Sequence, residues 1–125
     1  MKRKLAILIW GAGPDRPQLC ATPFVHAAAG ASFDCEVEVH FAGPAVRLLV
    51  EGVAADLRPW PDMSASVYDM MRQAANLDAR FVACAMAMKA LVGPDEKLIP
   101  EYSGTVGASA FVQRALDPEW TTLVY

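Results

Sequence analysis

The chain has 125 residues, the size of one domain, and its balance of 54% hydrophobic and 20% charged residues supports a packed core and excludes a disordered chain. The formal net charge is −3, and the one basic cluster, Lys2-Arg3-Lys4, reads as a solvated lead-in to the first strand, so no nucleic-acid partner is expected. No apolar run is long enough to span a bilayer and no small-residue cleavage site follows residues 5–10, so the expectation is a cytoplasmic protein with no membrane partner.

Residues 5–10, Leu-Ala-Ile-Leu-Ile-Trp, form a continuous apolar run, the mark of a strand buried on both faces of a parallel sheet. The loop from Gly11 to Pro17 completes neither a dinucleotide-binding nor a P-loop glycine pattern, and it reads as a turn. A helix is predicted from Gln18 to about Ala31. Pro23 within it fits a first turn, which moves the start to Thr22. Residues 35–41 alternate strictly, with Cys35, Val37, Val39 and Phe41 on one side and Glu36, Glu38 and His40 on the other. That pattern predicts a half-exposed strand at or near a sheet edge.

Pro44, at a favoured first position, opens a predicted helix with Val46, Leu49, Val50 and Val53 on one stripe. Residues 57–63, with two prolines and Trp60, read as irregular. Ser64 or Ser66 can cap the next helix, which runs to Asn76 with Val67, Met70, Met71, Ala74 and Ala75 as its core stripe. Phe81-Val82-Ala83 reads as a buried strand. A run of good helix formers, Ala-Met-Ala-Met-Lys-Ala, follows Cys84, and Gly93-Pro94 stops it. Residues 97–100 form a short extended piece. Ser103 or Thr105 starts the last predicted helix, with Ala108, Phe111, Val112, Ala115 and Leu116 on one face, and residues 120–125 form a terminal strand. Alternating strands and helices imply a sheet covered on both faces.

The chemistry gathers at Cys84, where a strand hands over to a helix. In open α/β sheets ligands collect at the carboxyl ends of strands, and a thiol at a helix start is biased toward thiolate. Cys84 fits equally well as a small apolar core residue. The three cysteines, Cys20, Cys35 and Cys84, show no metal or disulfide spacing, so no metal is expected. Cys20 reads as packing. Cys35 begins its strand, at the opposite end of a parallel sheet from Cys84. His40 ends its strand on the Cys84 side and is the better of the two histidines to assist a thiolate; His26 reads as a surface residue. Trp10, Gly11 and Gly43, at strand ends, and Ala85 and Met86, whose backbone N–H groups open the helix, complete the candidate binding residues.

Phe41-Ala42-Gly43, Phe81-Val82-Ala83-Cys84-Ala85-Met86, Leu98-Ile99-Pro100-Glu101 and the stretch from Gly104 to Val112 together resemble the DsrE/DsrF-like (YchN-like) sulfur-relay family, over nearly the whole chain. The resemblance implies a three-layer α/β/α sandwich with a mostly parallel five-stranded sheet. It implies a homo-oligomer, a trimer or a hexamer of two trimers. It also implies that Cys84 carries sulfur as a persulfide, received from a donor protein and passed to an acceptor, with no cofactor. A non-catalytic oligomeric binding or scaffolding module of the same fold is the alternative. A thiol reductase or peroxidase is a third reading, for which no resolving cysteine lies close to Cys84 in sequence.

Overall fold

The computed structural model describes residues 2–125. Five strands, β1 (Lys4–Ile9), β2 (Glu36–Phe41), β3 (Arg80–Cys84), β4 (Tyr102–Val106) and β5 (Trp120–Val124), form one sheet in the order β4-β3-β2-β1-β5. Every neighbouring pair is parallel, so all five strands end at the same side of the sheet. The helices are α1 (Thr22–Ser32), α2 (Val67–Asn76), α3 (Ala85–Leu91) and α4 (Ala110–Leu116).

The pleat divides the strands between two faces. Val37, Val39 and Phe41 of β2, with their register partners Ile7 and Ile9 of β1 and Phe81 of β3, point toward α1 and α2. Phe24 of α1 closes this layer, its ring centroid 5.9 Å from Phe41 and 6.0 Å from Phe81, and Met71 and Ala74 of α2 are buried beside it. Helix α1 starts at Thr22 with Pro23 in its first turn. Helix α2 starts where Ser66 and Asp69 satisfy each other's backbone N–H groups, a reciprocal capping box.

The other face of the sheet carries α4. The connection from β4 to β5 must recross the sheet from one edge to the other, about 19 Å at the usual strand spacing. The seven residues of α4 extend only about 10 Å. Part of that face, at the carboxyl ends of β3 and β4, is therefore left without a helix over it.

Three sequence expectations change. Strand β2 is central rather than marginal, and its polar side is not solvated: Glu38 is 4% and His40 5% exposed, because α4 lies over them. The segment Gly43–Leu49 is a 3-10 helix rather than an α-helix, still burying Ala45, Val46, Leu48 and Leu49; Glu96 and Arg47 tie it to the end of α3. Residues 102–106, expected to lead into a helix, are edge strand β4, and the helix begins only at Ala110. In β4 the pairing slips by one residue: Phe81 faces Tyr102 but Val82 faces Gly104, so Ser103 is unmatched. Gly104 takes φ = 137° there, a conformation side chains resist. The extended piece at residues 97–100 is present as a single bridge between Val50 and Leu98.

Candidate active site

Strands β2 and β3 bring His40 and Cys84 to one place. His40 is in register with Val82, and Cys84 lies two residues further along β3 on the same face. Strand spacing and rise put such a diagonal pair about 8 Å apart at Cα. Both line a crevice of about 190 Å³ at the carboxyl end of the sheet, in the area that α4 leaves uncovered. Leu8, Phe41, Val106, Phe111 and Val112 give it apolar walls, and among the described residues His40 and Cys84 are its only ionisable groups.

The imidazole is held by neighbours the sequence did not single out. His40 Nε2 lies 3.0 Å from Glu38 Oε1. Arg114 of α4 donates from Nε to Glu38 Oε1 at 3.0 Å and from Nη2 to Oε2 at 3.1 Å, a two-pronged pair. Arg80 stands 4.0 Å from Glu38 Oε2. Arg114 in turn stacks over the Trp120 ring at 4.6 Å. Burial alone would raise the Glu38 carboxyl, but the hydrogen bonds from Arg114 and His40 outweigh it and hold the group below the ordinary carboxylate range. Burial holds His40 below the ordinary histidine range, against the opposing pull of Glu38. The resting pair is thus a carboxylate beside a neutral imidazole.

Glu38 and Arg114 are 76 residues apart, and nothing local to either announces the pairing. The one signal available was the pair of polar residues, Glu38 and His40, in a strand otherwise of core character.

Cys84 is half-buried and is the residue from which α3 starts, with φ −62° and ψ 121°. Ala85 and Met86 form the first turn of that helix outside the crevice, Met86 being 73% exposed. Trp10 and Gly11, whose N–H groups both donate to the Tyr125 carbonyl beyond β5, line a separate depression with Asp15, Arg16 and Pro44. Gly43 sits at φ = 52° under the Trp10 carbonyl, where it turns the chain out of β2 rather than facing Cys84. Cys20 is fully buried, its thiol directed at the carbonyls of Gly13 and Arg16, and burial, with a lesser contribution from Asp15, pushes its pKa up to about 11. Cys35 lies before β2, at the far end of the sheet from Cys84. His26 pairs with the Tyr125 hydroxyl, away from the crevice. Among the described residues, no three His, Cys, Asp or Glu side chains gather where a metal could be held. Among them, too, no helix is long and apolar enough to cross a membrane.

No curated protein matches the chain. Among solved structures, the ychN protein from E. coli superposes with a TM-score of 0.75 at 12% identity, each chain covered in full. MTH1491 from Methanobacterium thermoautotrophicum, a protein of unknown function, gives 0.64 at 16% identity, again over the whole of both chains. These two likenesses establish the fold. The model of the DsrE/DsrF-like family matches residues 4–118, which takes in β1 to β4, all four helices and the crevice with its Arg114–Glu38–His40 support, and stops just before β5; the chain belongs to the DsrE/DsrF-like family.

Proposed function

We propose that the protein is a sulfur carrier that holds sulfane sulfur as a persulfide on Cys84. The observation that carries this reading is the shared crevice of Cys84 and His40 at the carboxyl end of the sheet. Membership of a family generally linked to sulfur relay supports it. The neutral His40 takes the proton from the Cys84 thiol. The resulting thiolate attacks the outer sulfur of a donor persulfide, R–S–SH. A bond forms between Cys84 Sγ and that sulfur, the donor's S–S bond breaks, and the electron pair leaves on the donor thiolate. The proton held on His40 goes to that thiolate, so donor persulfide and Cys84 thiol become donor thiol and Cys84 persulfide. An acceptor thiolate attacking the outer sulfur of Cys84 reverses the exchange. All of this uses side chains of the chain itself and needs no cofactor.

Donor and acceptor proteins in the cytoplasm are the partners this reading requires, and the working form is a homo-oligomer, a trimer or hexamer. The apolar walls of the crevice favour a second reading, an oligomeric binding module that holds a small uncharged ligand without covalent chemistry. Intact-mass measurement after incubation with a low-molecular-weight persulfide donor separates the two. A gain of one sulfur mass, absent in Cys84→Ser and removed by a thiol reductant, is the expected result. No gain at Cys84 overturns the carrier reading and leaves the binding module.

A further inference from the structure

Glu38 and Arg114 touch neither the crevice nor any reacting atom of the proposed exchange, yet they are the most strongly bonded polar groups in this face of the sheet. Glu38 receives both prongs of Arg114 and is held as a carboxylate, so it can only accept hydrogen bonds. Its contact with His40 Nε2 then requires the proton to be on Nε2. In a neutral imidazole the other nitrogen, Nδ1, is left with a free lone pair, and among the described residues it has no protein partner. His40 is 95% buried by its 5% exposure, and the crevice it lines is the one it shares with Cys84.

We propose that Glu38 and Arg114 are positioning residues for Cys84 chemistry: they fix His40 in the Nε2–H tautomer, so that Nδ1 is the base that faces the thiol. The proposal rests on the reading of Cys84 as the reactive residue. When the thiol proton moves from Sγ to Nδ1, the imidazolium keeps its Nε2–H on Glu38, and a thiolate and an imidazolium face each other across the crevice. The carboxylate stabilises that imidazolium. Arg114 tempers the effect by neutralising part of the Glu38 charge, so that His40 can both take the proton and give it back. Trp120, under the Arg114 guanidinium, holds the far end of the row.

The surroundings of His40 hold few other titrating groups. From β1 the neighbours on this face are Ala6 and Leu8, and from α4 Phe111 and Val112; none titrates. Strand β3 contributes Cys84 and, against Glu38, Arg80. Strand β4 contributes Val106. Glu36 and Asp117 act only on Arg114, at a distance.

The test uses the full chain and two independent readouts. Long-range proton–nitrogen NMR of the histidine side chains at pH 7.5 reads the tautomer directly, and a protonated Nε2 with an unprotonated Nδ1 is expected for His40. In Glu38→Gln the amide can donate as well as accept, so the single tautomer is expected to give way to a mixture. Alkylation of Cys84 by iodoacetamide at pH 7 is expected to slow roughly 10-fold, less than the ~10²–10⁴-fold a general base contributes, because the variant weakens His40 without removing it. Arg114→Met, which frees the carboxylate from its two-pronged anchor, is likewise expected to give a mixture of tautomers, and Arg114→Lys, which keeps the charge, should recover part of the single form. A protonated Nδ1 in the unaltered protein overturns the proposal without recourse to any variant. So does an unchanged alkylation rate in a folded Glu38→Gln whose tautomer has shifted. The sulfur-carrier reading is judged separately, by persulfide loading: a protein that shows the expected tautomer and alkylation rates but takes up no sulfur keeps the relay and loses the carrier function.

Discussion

Phe111 of α4 meets the His40 ring edge-on, with centroids 5.5 Å apart and planes at 71°. The contact covers the side of the imidazole that β1 and β3 cannot reach, and it is part of why a histidine at the centre of the sheet is buried. Burial is the leading cause of the low pKa of His40. Phe111→Ala is therefore expected to admit water and move the His40 pKa upward, toward 6.5. An NMR titration of the His40 ring protons checks it; an unmoved midpoint in a folded variant would show that the sheet alone sets the environment.

Acid stability follows from the same pair. The folded-state pKa of His40 lies below its unfolded value of 6.5, so between the two values the unfolded chain binds the extra proton. Stability is fully present above about pH 6.5 and is lost as pH falls through the folded pKa. Glu38 adds to the loss lower down, because its folded pKa lies below 4.5 and its contribution disappears as pH drops through that value. His40→Phe should flatten the first of these two phases and shrink the second, in which Arg114 still holds the Glu38 carboxylate. Urea midpoints from pH 7.5 to pH 4 measure the effect, and equal slopes in both proteins below pH 6.5 would rule it out.

Among the three thiols, Cys84 is expected to label first with iodoacetamide at pH 7 and Cys20 last. With its pKa pushed up to about 11, only about one Cys20 in 10⁴ is thiolate at that pH, and the side chain is fully buried as well. Cys84→Ser should change stability by no more than about 1 kcal/mol, since serine matches cysteine in size and the crevice is open to a second polar atom. Peptide mass spectrometry ranks the labelling, and a larger loss of stability would make Cys84 a core residue instead.

Light scattering after gel filtration is expected to give a trimer or a hexamer at micromolar concentration. Phe33 is 81% exposed, and Trp10, Trp60 and Met86 are each more than half exposed, a large apolar area for a chain of this size. Trp120 is not part of that area: it is 9% exposed, under Arg114. A stable monomer across a tenfold range of concentration would refute the oligomer.

Local sequence carried most of the fold. The apolar run of β1, the proline in the first turn of α1, the Ser66–Asp69 cap and the passage from Phe81 into the helix formers after Cys84 are each decided within a few residues. What escaped was decided at a distance. Glu38 and His40 have the spacing of a solvated strand face, and α4, with Arg114 76 residues on from Glu38 and Phe111 against His40, turns that face into an interior. Ser103-Gly104 are weak strand formers, and it is the neighbouring β3 that draws them into β4. The strand ends put His40 and Cys84 side by side as their positions implied, because all the strands run the same way. The supporting carboxylate and guanidinium could not be read, since no motif links them.

The slipped pairing of β4 bears on how copies of the chain can meet. A sheet edge offers a row of free backbone N–H and C=O groups on which a foreign strand can align. Here the unmatched Ser103 and the positive φ of Gly104 break the spacing of that row midway along its five residues. An incoming strand would find its hydrogen bonds out of step after two or three residues. The edge beside the crevice is thereby a poor template for a foreign strand, whereas the other edge, β5, pairs in regular register and carries no such break.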